Sequence, residues 1–268
     1  MGKRYDGIKK FEDSLFNEMK SRFSKECLLF EEMSELILDV SEPYTRYREV
    51  EDEGKTVCVL LHTRMFNDFE ASKLLLLYGF PEPARMPIRD SIECMLLIRL
   101  FLNDATRARR WVNNCAQYSP GDVNAELTRQ EVYAIEYEWY GLFSHLGHTN
   151  MLASATCLNE TLFDDGSVFR TFCYGGRRDE RVVPSTFLQL LLLMYVALTG
   201  PLFQMYKAEE AQTLPWTEKL KAVGNKLHDL VSETTKASDG ESIDTDIKMQ
   251  NLIGKKLKID NILRLDIQ

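Results

Sequence analysis

Arg89 and Glu93 stand four residues apart in a segment whose other residues are mostly apolar: Ile88, Ile92, Met95, Leu96, Leu97 and Ile98. In a helix that spacing puts both on one face. An ion pair among such neighbours points inward, where an unpaired charge is costly and partners must be supplied. The segment from Tyr140 to His148 offers them. Tyr140, Ser144 and His148 fall at i, i+4 and i+8, one face of a second helix if it persists through Gly147. Arginine can donate to a hydroxyl, glutamate can accept from imidazole, and the phenol can close the circuit. One outcome is a satisfied structural network, the common fate of buried polar groups. Another is a polar site of Arg89, Glu93, Tyr140, Ser144 and His148, in which Arg89 stabilises a phosphate and His148 serves as acid or base. A third uses a metal held by His145 and His148, at i and i+3, with Glu93 and His62, as in a metal-dependent hydrolase or sensor. The repeated Glu-x-x-His of di-iron bundles is missing. So are a Gly-rich phosphate loop, a nucleophile elbow and a paired-carboxylate signature, and no cofactor is expected.

The elements that must position these residues read as helices. Phe11, Leu15, Phe16, Met19 and Phe23, then Leu28, Leu29, Met33, Leu36 and Ile37, recur at three- and four-residue steps, the helical period. Ser41-Glu42-Pro43 is expected to end that run, since a residue before proline is driven out of the helical conformation. Further helices are expected from about Val57 to Tyr78, from Met86 to Leu102, and from a cap at Asp104 through Val112. A long helix is expected from Asn124 to about Leu146. Gly79-Phe80-Pro81-Glu82-Pro83 and Ser119-Pro120-Gly121-Asp122 punctuate them. Around 168–183, Phe169, Thr171 and Phe172 have β character and Gly175-Gly176 suggests a tip, so a short β-hairpin is expected there. Helices resume at Ser185 and at Thr217. The fold class is therefore all-α, a bundle of six to eight helices over residues 1–235, followed by a linker and C-terminal appendage over 236–268.

The chain has 268 residues, 44% hydrophobic and 28% charged, with a net charge of −8. That is the balance of an ordinary globular protein. The net charge argues against general attraction to nucleic acid or anionic membranes, so a protein partner or a second copy is the expected partner class. RNA is a secondary candidate on the arginine clusters Arg107, Arg109, Arg110 and Arg177, Arg178, Arg181, which otherwise read as solvated faces. The six cysteines show no C-x-x-C pairing and read as small buried hydrophobes of a reducing compartment. With a charged, non-apolar N-terminus, this gives a cytoplasmic expectation. Phe187 to Tyr206 is long and apolar enough to raise a membrane span, but Gln189, Gln204 and Gly200-Pro201 favour a kinked helix inside a bundle.

The order Ala84, Arg89-x-x-x-Glu93, then Tyr140-x-x-x-Ser144-x-x-x-His148 resembles a widespread bacterial family of helical proteins of unknown function. Its members share R-x-x-x-E followed some fifty residues on by Y-x-x-L-S-x-x-x-H. Phe143 stands here where the family has leucine. The resemblance covers roughly Val57 to Leu158. It implies a helical fold and no settled activity. The family is distantly similar to helical RNase domains of toxin and phage-defence systems, which implies an RNA-directed nuclease as an alternative function. Those domains use an arginine followed by four to six residues and then a histidine, and none of His62, His145, His148 or His228 has one at that spacing. The leading expectation is a non-enzymatic binding or interaction module whose polar network is structural.

Overall fold

A computed structural model describes residues 2–46, 53–114, 117–147, 158–162, 168–172, 182–202, 204 and 216–238. Within them the chain forms α1 (Gly2–Arg22), α2 (Ser24–Arg46), α3 (Glu53–Leu77), α4 (Pro81–Asn103), α5 (Ala105–Asn114), α6 (Pro120–Arg129) and α7 (Ile135–Gly147). After strands β1 (Leu158–Leu162) and β2 (Val168–Phe172) come α8 (Val182–Thr199) and α9 (Trp216–Ser238). The class is all-α, with one two-stranded excursion.

Helix α4 is the organising element, packed against α3, α5, α6, α7 and α8. Pro81 and Pro83 lie in its first turn, where a missing N–H removes no helical hydrogen bond. The helix therefore starts five residues before the expected Met86. The connection from α3 closes through Gly79, whose φ of 75° suits a residue without Cβ. The Phe80 and Gly79 amides donate back to the Leu75 and Leu76 carbonyls at 2.8 and 3.0 Å, a Schellman stop. Asp104 caps α5 as expected, its Oδ1 accepting from the Thr106 and Arg107 amides at 3.1 and 3.3 Å.

The long helix expected over Asn124–Leu146 is two. α6 ends with the same stop as α3, the Val132 amide on the Leu127 carbonyl at 2.8 Å and the Glu131 amide on Thr128 at 3.0 Å. Here the left-handed residue is Glu131, φ 58°, so no glycine marks the break. α2 likewise runs to Arg46, past Pro43. The expected hairpin is displaced. Val168–Phe172 is a strand, but its antiparallel partner lies upstream, with Leu158 opposite Phe172 and Leu162 opposite Val168. Residues 163–167 between the strands lie outside the described residues. Residues 173–181, where the tip was expected, lie outside the described residues.

α8 is buried on nearly every side, packed against α2, α3, α4 and α9, which is why its sequence carries no polar face. No helix among the described residues is long and apolar enough to cross a membrane. The helix ends at Thr199 rather than kinking at Gly200-Pro201.

α2 and α9 close the bundle. Trp216, Leu220, Val223, Leu227 and Leu230 are buried at alternating steps of four and three, a heptad seam. On α2, which packs against α9, Leu29, Met33, Leu36 and Val40 are buried at the same steps. Along the seam run three ion pairs: Lys25–Glu233 at 2.8 Å, Glu32–Lys226 at 2.6 Å and Asp39–Lys219 at 3.0 Å. Successive pairs advance by seven residues on α2 and retreat by seven on α9, so the helices are antiparallel and in strict register. Exposed pairs add little stability one by one; their arrangement selects the register. Lys236 and the expected linker boundary fall inside α9, and residues 239–268 lie outside the described residues.

Candidate functional site

The α4–α7 interface is where the sequence-derived residues meet. α4 carries Arg85, Arg89, Glu93 and Arg99 toward α7 and α8, and α7 answers with Glu136 and Tyr140. Since Arg99 pairs with Glu136 and Arg89 with Tyr140, the two helices run antiparallel.

At one end stand three of the expected residues, Arg89, Glu93 and Tyr140. Arg89 Nη2 donates to Glu93 Oε1 at 3.0 Å and to Tyr140 Oη at 2.9 Å. The guanidinium carbon also lies 5.3 Å from the centre of the Tyr140 ring, within cation–π range. The Tyr140 hydroxyl and the Glu93 carboxylate favour the charged form, and the Arg89 pKa is raised. Tyr137 stacks beside Tyr140, centroids 6.2 Å apart and planes inclined by 9°. The set is half-buried, the Arg89 side chain 22% exposed and that of Glu93 34%. Arg89 Nε is buried without a hydrogen-bond partner among the described residues.

The other end was not anticipated. Arg99 Nε donates to Glu136 Oε1, with the two side chains 7% and 0% exposed. Gly200, just beyond the end of α8, lets the Arg99 guanidinium close against the backbone. A Cβ there would lie 2.3 Å from Arg99 Nη2 and 2.8 Å from the Val196 carbonyl oxygen. The C-terminal end of a helix favours a cation, so Arg99 ties α4, α7 and α8 together. The absence of a Cβ at Gly200 and the charge of Glu136 in the first turn of α7 were the only sequence signals, and neither names its partner.

One turn before Arg89 on α4, buried Arg85 reaches α8, its Nη2 3.4 Å from the Thr186 hydroxyl. Ser144 is half-buried on α7. His148 and the side chain of His145 lie outside the described residues. His62 is on α3, 3% exposed, with Nε2 lacking a hydrogen-bond partner among the described residues. Burial lowers its pKa to about 4. Among the described residues no group of His, Cys, Asp or Glu is arranged to hold a metal ion. Cys27, Cys58 and Cys94 are buried, and burial raises the Cys94 thiol to about 12, which leaves it unreactive.

Of the first arginine cluster, Arg107 is not a solvated side chain. It pairs with Asp104 at 3.1 Å and with Glu126 of α6 at 2.9 Å; Arg109 and Arg110 are exposed.

Fold and site together define an all-helical protein with a polar network buried between two of its helices, consistent with a structural or interaction role. No family model, no curated protein and no solved structure matches the chain.

Proposed function

We propose that this chain is a non-catalytic binding module, in which the α4–α7 network fixes the bundle and its half-buried end is the edge offered to a partner. One observation carries the reading: two arginine–carboxylate pairs close within the fold, Arg99 with Glu136 and Arg89 with Glu93, and Tyr140 adds its hydroxyl to Arg89. Residues whose charges are mutually satisfied hold a structure together more readily than they turn over a substrate. The motif's resemblance to the bacterial helical family belongs to this proposal, which supposes that Arg89, Glu93 and Tyr140 serve the same architectural purpose there.

A second reading, an RNA-directed nuclease, is favoured by the partial exposure of Arg89, which would let it meet a phosphate while His148 moves a proton. Purified wild type, Arg89→Ala and His148→Ala are incubated with mixed RNA, with and without chelator, and each is melted in parallel. The module reading expects no cleavage by any of the three. Cleavage by wild type that is lost in both well-folded variants would replace it with the nuclease.

A further inference from the structure

Resting on the reading that the half-buried end of the α4–α7 interface binds, we infer that what it recognises is a phosphate group. Arg85 and Arg89 are one turn apart on the same face of α4, and the hydroxyls of Tyr140 and Thr186 reach them from α7 and α8. Arg85 and Thr186 are buried, and Arg89, 22% exposed, is the donor that faces solvent. Arg89 is held in orientation twice, by its position over the Tyr140 ring at 5.3 Å and by its hydrogen bond to that residue's hydroxyl at 2.9 Å. A guanidinium fixed in plane is suited to two-point contact with an oxyanion.

Glu93 occupies the position such an anion would compete for. It bonds Arg89 Nη2 at 3.0 Å, and its side chain, at 34%, is more exposed than the 22% of Arg89. The carboxylate is therefore an internal counter-ion on the solvent side, and a doubly charged tetrahedral group would take its place. The stacked pair Tyr137–Tyr140 adds an aromatic edge beside the guanidinium, the combination that holds a nucleobase next to its phosphate.

Binding of a labelled single-stranded oligoribonucleotide, AMP and inorganic phosphate is measured by titration of the full chain at low and moderate salt. Wild type binds at least one probe, with affinity falling as salt rises. Arg89→Gln weakens binding about tenfold or more, the scale of a lost charge-assisted hydrogen bond. Glu93→Gln, which removes the competing charge, tightens it about two- to fivefold, the opposite of what a purely structural ion pair predicts. AMP and RNA binding more tightly than inorganic phosphate extends the site to the base; equal affinities confine it to the phosphate. No binding by wild type to any probe overturns the inference, and so does Glu93→Gln that binds no tighter. Neither result touches the cleavage assay, whose outcome decides the module reading separately.

Discussion

The two ends of the α4–α7 interface use the same residue types to different effect. Arg99–Glu136 is sealed, 7% and 0% exposed, and is shaped by the missing Cβ of Gly200. Arg89–Glu93–Tyr140 is half open. In the sealed pair each charge depends wholly on the other, because desolvation has removed water as an alternative partner. In the open set water can replace a lost contact, so the same chemistry is left available for a ligand. Burial, not residue identity, separates the sealed Arg99 from the half-open Arg89.

The contrast breaks most sharply at the sealed end. Glu136→Leu or Arg99→Met alone leaves a buried charge without its partner and should cost about 3–5 kcal/mol in denaturant unfolding. The double variant should recover most of that loss. Gly200→Ala meets both the Arg99 guanidinium and the Val196 carbonyl oxygen and should cost about 1–3 kcal/mol, of which only the Arg99 share should be relieved in the Arg99→Met background. A cost unchanged in that background would show that Gly200 matters for its own backbone and not for the arginine.

α3 sharpens the comparison with two ionisable groups that have poorer partners. His62 is held at about 4, below its ordinary 6.5, by burial. The fold prefers it neutral, so its contribution is present above pH 6.5 and lost as pH falls toward 4. Asp68 is pushed up to about 6 from 3.8, first by burial and then by Asp90, with Arg64 opposing. The fold prefers it protonated, so its contribution is present below pH 3.8 and lost as pH rises through 6. The two slopes oppose one another, each on the order of 2–3 kcal/mol. Wild-type stability should therefore change little between pH 4 and 6.5. His62→Leu should become more stable on acidification across that window, and Asp68→Asn less stable. Chemical denaturation at four or five pH values checks both signs.

At the open end, Tyr140→Phe removes one acceptor from Arg89 and should cost about 1 kcal/mol or less, since water can take the hydroxyl's place. A loss comparable to that of Glu136→Leu would mean the open end is as closed as the other.

Spacing alone brought Arg89, Glu93 and Tyr140 together, because four-residue steps on amphipathic helices are a local signal. The α3 and α6 stops show where such signals fail. Both have the same hydrogen-bond pattern, yet one turns on Gly79 and was legible, while the other turns on Glu131 and was not. Arg99–Glu136 escaped for another reason. The partners sit 37 residues apart on separate helices, and which polar residue of α7 meets Arg99 depends on the break at Glu131. The hairpin misreading has the same root, since β character was visible at Phe169 and Thr171 but the choice of partner strand was not.

The antiparallel ladder between α2 and α9 has a consequence in time. Glu32 and Lys226 are 194 residues apart in the chain. At ribosomal speeds of about 5–20 residues per second, α2 leaves the ribosome about 10–40 s before the helix that covers its seam. During that interval the face of α2 that packs on α9 lacks its cover, so the newborn chain carries a sticky stripe until the last described helix arrives. The unequal charge order beside that stripe, Lys25 then Glu32 and Asp39, gives the late helix one complementary way to seat.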